Sequence, residues 1–389
     1  MRRRRISAVA LAAAALVAGT GAVSATAGQA ARQAAQPAAK PSPKPTPSAT
    51  PSPTATQSDG TLQILTYRGY AEYGGLSPKA NWVGSFEKET GCRLARVDTV
   101  RTAEEMERAV AAAERPYDLI SAGPALAGDL ITRKLVQPID PAKVSGYGDL
   151  NERFRDMTKV SGKVYGVPFL WGYHEFIYDS SRVKDASLGQ VFASGRAALR
   201  DTPLTIADAA LADATVKDPY ELSQEQLDRA MALLGQQKER TYWRKPIDLI
   251  KGFATGSLDY AQATPYYRLL LQKAGKPVRT VGAKTATGWL DSWMLGANLP
   301  DTTCAYRWLT WMTAADAQRD AAAWVGLAPA NDKACKGRAK SICDLYGADD
   351  PKRLDRIAFA VRPPGGCRGE DGECTDYAVW GKRWAELAE

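Results

Sequence analysis

Short β-type and helical segments alternate between residues 62 and 121, and this order limits the possible fold more than any other feature. The helix after the first strand is predicted from the spacing of Trp82 and Phe86 and ends at Gly91, while Thr102 and Glu105 form a capping box for the next helix. The predicted strands cover residues 62–66, 94–97 and 117–121. Alternating strands and helices predict a parallel sheet, and such sheets bind ligands at the carboxyl ends of their strands.

A second informative segment is GKVYGVPFLWGYHEFIYD, from Gly162 to Asp179. Pro168 favours extended backbone before it, and β-forming residues resume at Phe176, so the segment predicts two strands that meet at a bend. Two lobes could join there. Trp171 stands beside a glycine, and its ring suits a flat or cationic ligand as well as a protein core.

The N-terminus has the features of an export signal. Arg2 to Arg5 precede an apolar run, and Ala25-Thr26-Ala27 is a cleavage pattern, so residues 1–27 are predicted to be a signal peptide. A membrane-anchoring helix over residues 6–23 is the alternative. Residues 28–58 are rich in Pro, Ala, Ser and Thr and predict a disordered stalk. The first cysteine of the chain is Cys92, so no lipobox cysteine follows the leader.

Charge and motifs argue against nucleic-acid binding and catalysis. The first 58 residues hold seven of the 51 basic residues and none of the 43 acidic ones, so the remainder is almost neutral and lacks the basic surface that nucleic acid requires. His174 is the only histidine, and no nucleophile motif or dinucleotide fingerprint accompanies it. We therefore predict no enzyme and no cofactor, and the remaining length suits two lobes.

Six cysteines in an exported chain predict disulfides rather than a metal site. Six cysteines permit about fifteen pairings. Proximity along the chain favours local pairs, which leaves the two distant cysteines for each other. The pairs predicted on this basis are Cys335 with Cys343, Cys367 with Cys374, and Cys92 with Cys304.

Three ordered groups of motifs resemble the spermidine/putrescine-binding proteins of ABC importers and their actinobacterial relatives. They are LTYRGYAEYG with WVGSFEKETGCRL, then YDLISAG, LVQPID and GKVYGVPFLWG, and finally TGWLDSW. The resemblance implies an α/β fold of the two-lobed, type II periplasmic-binding-protein kind, with parallel-type sheets and a ligand cleft at the hinge. Lobe 1 is expected at 59–170 with 290–330, and lobe 2 at 171–289 with 331–389, including a disulfide-stapled C-terminal segment.

The resemblance also implies ligand-binding residues. Tyr67 and Tyr70 match two aromatics of the first loop, and Trp289 and Asp291 match an aromatic and an acid of the second crossover. A buried Asp291 would hold an amine with Trp289 alongside, because a cation that leaves water needs a paired charge. The alternative is that Asp291 braces the crossover.

Other expected acids are missing from the chain. Asp201 is the only plausible acid of the second lobe, and Glu175 can replace a missing one if it faces the cleft rather than solvent. Trp171 completes the candidate set as an aromatic wall. These departures leave open a smaller monoamine, another cation or a polar neutral solute.

The sequence as a whole predicts an exported substrate-binding component of an ABC transporter, monomeric, that captures a small cationic, polyamine-like solute and presents it to a membrane permease. The alternatives are a cell-surface sensor or adhesion module that keeps the fold and, less favoured, a secreted hydrolase.

Overall fold

The computed structural model describes residues 60–75, 77–113, 115–297, 299, 303–360 and 375–388. The predicted signal peptide, the predicted stalk and the expected Cys367–Cys374 pair lie outside these residues. The strands of the described part are β1 (Thr61–Tyr67), β2 (Arg93–Val100), β3 (Leu119–Ala122), β4 (Val136–Gln137), β5 (Lys159–Val160), β6 (Lys163–Val164), β7 (Val167–Tyr173), β8 (Glu175–Asp179), β9 (Ala197–Arg200), β10 (Thr241–Trp243), β11 (Tyr260–Ala263), β12 (Val278–Thr280), β13 (Ala286–Gly296), β14 (Ala328–Pro329) and β15 (Ile357–Ala360).

Helices connect most of these strands. In chain order they are α1 (Trp82–Thr90), α2 (Ala103–Ala111), α3 (Pro124–Thr132), α4 (Glu152–Met157), α5 (Leu188–Ala193), α6 (Thr205–Ala210), α7 (Gln224–Gly235), α8 (Pro246–Thr255), α9 (Pro265–Lys273), α10 (Thr303–Thr313), α11 (Ala315–Val325), α12 (Lys340–Tyr346), α13 (Pro351–Leu354) and α14 (Tyr377–Ala388).

Two mixed sheets define two lobes. The large lobe contains an eight-stranded sheet of order β14-β7-β13-β3-β1-β2, with β4 and β15 also paired to β13. The predicted strands β1, β2 and β3 are parallel, as expected, whereas β13 runs antiparallel to β3 and β7. The small lobe contains a five-stranded sheet of order β10-β9-β11-β8-β12, in which β9, β10 and β11 are parallel. The two-lobed α/β fold is therefore confirmed, with antiparallel strands added to each parallel core.

Local sequence signals account for the predicted helices. The Asn81 side chain caps α1, which ends at Gly91 with a left-handed backbone. The Thr102 hydroxyl accepts a hydrogen bond from the Glu105 amide at the start of α2. Ser223 forms a complete capping box at the start of α7. Side-chain caps of this kind satisfy amide groups that a helix start leaves unpaired.

The C-terminal part of the chain is divided between the lobes, which differs from its expected place in lobe 2 alone. Ile342, Cys343 and Tyr346 of α12 lie in the same apolar core as Trp171 of the large lobe. Trp380 of α14 instead lies in the core of the small lobe. The reason is that β15 pairs with β13 in the eight-stranded sheet and α12 packs against β14, whereas α14 packs against α7.

Two disulfides are present among the described residues, and both agree with the predicted pairing. The long-range disulfide joins Cys92 and Cys304 across 212 positions of the chain, and the short-range disulfide joins Cys335 and Cys343 across 8. All four cysteines lie in or against the core of the large lobe.

Candidate functional site

A cavity of about 270 Å³ lies between the lobes and is lined by residues of both. Tyr67 ends β1 and Gly123 directly follows β3 on the large lobe; Arg200 and Trp243 end β9 and β10 on the small lobe. The carboxyl ends of both sets of parallel strands thus converge on one space. This is the position at which open α/β sheets bind ligands.

An acidic group lies at the large-lobe side of the cavity. Asp291 is only 4% exposed and accepts a hydrogen bond from the Tyr70 hydroxyl. Burial raises the pKa of Asp291 to about 6, although hydrogen bonding from Tyr70 and the field of Arg200 oppose the rise. The carboxylate is therefore mostly charged at neutral pH, in a place where little water can stabilise it.

Two glycines shape the backbone around this carboxylate. A Cβ atom at Gly123 would come within 2.8 Å of Asp291 Oδ1. Gly69 adopts a left-handed backbone after β1, and the Tyr70 amide then donates to the Tyr67 carbonyl over 3.1 Å, which turns Tyr70 back toward Asp291. Glycine is the residue that accepts this backbone without strain.

Aromatic rings form the walls beside the acid. The rings of Tyr67 and Tyr70 meet edge to face with centroids 5.6 Å apart. Trp289 lies two residues before Asp291 on β13, so both side chains leave the strand on the same face. The Trp289 indole lies across Gly172, where a Cβ atom would approach the ring to 2.6 Å.

A positive group faces the same cavity from the small lobe. The guanidinium carbon of Arg200 lies 5.5 Å from the centroid of the Trp289 ring, and Nη1 of Arg200 lies 3.2 Å from Nε2 of His174. Burial, with a smaller contribution from Arg200, holds the pKa of His174 well below its usual range. The imidazole is therefore neutral, and its Nε2 accepts the hydrogen bond from Arg200.

A buried polar group, here called the hinge network, connects the lobes beneath the cavity and consists of His174, Asp208, Gln262 and Thr287. Asp208 accepts hydrogen bonds from Thr287 Oγ1 over 2.6 Å and from Gln262 Nε2 over 2.9 Å, and its Oδ2 lies 3.8 Å from Nδ1 of His174. Burial raises the pKa of Asp208 to about 7. His174 and Thr287 belong to the crossover segments, so this network fixes the strands that pass between the lobes.

The lobes also meet at the rim of the cavity. The Tyr266 ring of the small lobe lies against Gly326 of the large lobe, which has no room for a Cβ atom and adopts a left-handed backbone. The Tyr220 hydroxyl donates to the Gly288 carbonyl over 3.3 Å. Both contacts join a small-lobe tyrosine to the backbone of the large-lobe side of the cavity.

The structure brings four of the seven candidate ligand residues to this cavity: Tyr67, Tyr70, Trp289 and Asp291. Trp171 is fully buried instead, and its indole N–H donates to the Pro329 carbonyl over 3.0 Å. It therefore belongs to the core, because β7 is covered on both faces.

The two remaining candidate acids point elsewhere and are already paired. Glu175 forms an ion pair with Arg268 at 2.5 Å and lines a separate cavity behind the hinge. Asp201 accepts hydrogen bonds from Arg244 Nε over 2.6 Å and from Trp384 Nε1 over 2.9 Å. An acid with a partner of this kind is not available to a cation in the cleft.

Sequence reasoning missed Arg200 and treated His174 as structural. The signal for Arg200 was present, since it is the last residue of a strand whose carboxyl end faces the cavity. The resemblance instead pointed to the neighbouring Asp201, which directly follows β9. Successive side chains of extended backbone point to opposite sides, so Arg200 lines the cavity and Asp201 does not.

No helix of the described part is long and apolar enough to cross a membrane, and the proposed anchor at residues 6–23 lies outside that part. Within the described residues, no group of three His, Cys, Asp or Glu side chains could hold a metal ion.

Solved structures share this fold at low sequence identity. A putative spermidine/putrescine ABC transporter protein from Listeria monocytogenes is 17% identical with a TM-score of 0.65, covering 84% of this chain and 98% of that one. A GABA receptor is 18% identical with a TM-score of 0.64, covering 84% and 98%. The protein MotA from A. tumefaciens B6, in complex with glucopine, is 17% identical with a TM-score of 0.63, covering 85% and 100%.

The family model for bacterial extracellular solute-binding proteins matches residues 81–341, which is most of the chain. The match includes both crossovers and the cavity-lining strands other than β1. Members of this family bind substrates and are not enzymes. The chain therefore belongs to the bacterial extracellular solute-binding protein family.

Proposed function

We propose that the cavity captures a small organic amine and that Asp291 is the charge partner of its ammonium group. The observation that carries this proposal is a buried carboxylate in the inter-lobe cavity, beside three aromatic side chains and without an ion-pair partner among the described residues. An ammonium group that leaves water needs such a charge, and aromatic faces stabilise the cation and cover its apolar stem.

The similar structures agree with a ligand of this chemical kind. One is a putative spermidine/putrescine transporter protein and another is a GABA receptor, and each of these small molecules carries an amino group. The size of the cavity is consistent with a ligand of a few carbons, because drug-sized ligands occupy pockets of roughly 300–1,000 Å³.

The proposed cycle uses the two lobes. A ligand that contacts both lobes stabilises the closed arrangement, and its differential affinity for that state shifts the population toward it. The closed form is then presented to the ABC permease. Residues 1–27 direct export in this proposal, 28–58 act as a spacer at the cell envelope, and the protein acts as a monomer.

The test is calorimetric titration of the full chain with putrescine, spermidine, γ-aminobutyrate and butylamine, comparing wild type with Asp291→Asn. Truncating one partner of a buried charge pair costs roughly 2–5 kcal/mol, so we expect amine affinity to fall by a factor on the order of 30 or more. Asp213→Asn is the matched control, because Asp213 accepts hydrogen bonds from Thr215 and Arg229 and does not line the cavity. Unchanged amine affinity in Asp291→Asn, or equal losses in both variants, would contradict the proposal.

A further inference from the structure

The side chains that line the cavity carry more positive than negative charge, and a diamine would add two further positive charges. Four arginines, Arg68, Arg101, Arg200 and Arg244, line it together with the single carboxylate of Asp291. Arg244 is paired with Asp201, and Arg68 and Arg101 are exposed at the rim. Arg200 is the positive group that shares the interior of the cavity with Asp291. A ligand with a second ammonium group would place that charge beside arginine rather than beside an acid.

Arg200 is held in place with most of its donors unused. Its guanidinium packs on the Trp289 face, and the one side-chain hydrogen bond it makes within the described residues is to the neutral His174. Within that same part of the chain, no carboxylate forms an ion pair with it. A guanidinium has five N–H donors in a fixed fork that matches a carboxylate with two parallel hydrogen bonds. Contact with the Trp289 ring restrains the guanidinium, and most of its N–H donors have no partner among the described residues.

His174 cannot supply the missing negative charge. It is buried, and its second nitrogen faces Thr287 and Asp208 in the hinge network. The imidazole therefore orients Arg200 without neutralising it. A partly buried cation without a paired negative charge raises the free energy of the folded protein, and binding of an anion would lower it.

We propose that Arg200 is a carboxylate subsite and that the ligand is a small amino-carboxylate zwitterion, with its ammonium at Asp291 and its carboxylate at Arg200. This inference rests on the proposed amine site and extends it. The two subsites belong to different lobes, since Asp291 lies on β13 of the large lobe and Arg200 on β9 of the small lobe. A zwitterion thus bridges the cleft with one charged end on each lobe.

The bridging geometry assigns a separate role to each end of the ligand. The ammonium group of the ligand binds the large lobe. Its carboxylate stabilises the closed state, because it reaches Arg200 only when the small lobe approaches. A monoamine of the same length contacts the small lobe only through its apolar stem. Discrimination between the two ligands is therefore a property of the closed state.

The experiment compares four ligands with the same number of carbons: γ-aminobutyrate, putrescine, butylamine and butyrate. They present the charge pairs plus–minus, plus–plus, plus–neutral and neutral–minus. Affinities are measured by titration calorimetry at neutral pH with the full chain, and shorter and longer homologues of the best ligand are included so that a mismatch in length does not hide binding. The readout is the ratio of the butylamine to the amino-carboxylate dissociation constant.

In wild type we expect this ratio to be about tenfold or more in favour of the amino-carboxylate, with the diamine weaker than the amino-carboxylate. Arg200→Gln should reduce the ratio to about one, and Arg200→Lys should restore part of it, because lysine keeps the charge but not the fork. Arg229→Gln is the matched control and should keep the ratio, since its guanidinium pairs with Asp213 and does not line the cavity. Equal thermal unfolding midpoints would show that the variants are folded.

Two results would overturn the inference while leaving the amine site intact. One is a diamine that binds as tightly as the amino-carboxylate; the other is a ratio that Arg200→Gln leaves unchanged or that Arg229→Gln alters equally. A failure of the proposed function looks different, because no amine of any length would then bind in a manner that Asp291→Asn weakens.

Discussion

Replacing Asp208 by asparagine should change how the stability of this protein depends on pH. Asp208 is 2% exposed, and burial raises its pKa to about 7, whereas an unfolded aspartate titrates near about 3.9. Between these values the folded chain holds a proton that the unfolded chain has released. The free energy of unfolding therefore falls as pH rises from about 4 to about 7, and the contribution of Asp208 is constant outside this window.

The size of the effect follows from the same values. Each pH unit of pKa difference corresponds to about 1.4 kcal/mol, so a difference of roughly three units costs the wild type about 4 kcal/mol across the window. Asparagine cannot ionise, and its side chain can still hydrogen-bond Thr287 and Gln262. Asp208→Asn should therefore match wild type near the acid end and exceed it in stability above about pH 7.

The assay is urea unfolding of wild type and variant at several pH values between about 4.5 and 7.5, with the difference in unfolding free energy plotted against pH. Asp213→Asn is the control, because hydrogen bonds from Thr215 and then Arg229 hold the pKa of Asp213 at about 2 and so place its titration below the range. Its difference from wild type should be the same at every pH. Parallel wild-type and Asp208→Asn curves over the whole range would refute the reasoning.

Two further predictions concern the cavity wall and the disulfides. Gly172→Ala should push the Trp289 ring out of position and weaken ligand binding about tenfold or more, measured by titration and tryptophan fluorescence; unaltered affinity would show that Trp289 does not contact the ligand. Replacing both cysteines by alanine should cost about 5 kcal/mol for the long-range disulfide and about 2.5 kcal/mol for the short-range one, by loop-closure entropy. Denaturant unfolding that ranks the two variants in the opposite order would contradict this account.

Much of the fold could be predicted because its signals are local. The helix starts at Thr102 and Ser223 follow from side chains that cap amide groups within three positions, and the first three strands follow from short apolar runs. The antiparallel placement of β13 was not predictable in the same way. It depends on pairing with β3 and β7, which are more than a hundred residues away along the chain.

The site was predictable only in part, and the reason is side-chain direction. Resemblance located Asp291 and Trp289, which lie on one face of one strand. Side-chain direction also determines whether Trp171, Arg200 and Asp201 reach the cavity. Sequence alone does not show which face of a strand is open to it. A tryptophan in a strand covered on both faces becomes core, and an acid one position from the cavity becomes part of an external ion pair.

Both observed disulfides lie in the large lobe, and none joins the lobes or staples the small one within the described residues. These two disulfides therefore limit the unfolded ensemble of the large lobe, whereas the described part of the small lobe depends on buried surface and the hinge network. Amide protons of the small lobe should then exchange through openings that cost less free energy than those of the large lobe. A ligand that joins the lobes should slow amide exchange most in the small lobe. In an oxidising environment, covalent bonds would then stabilise the large lobe, and the bound solute would stabilise the small lobe.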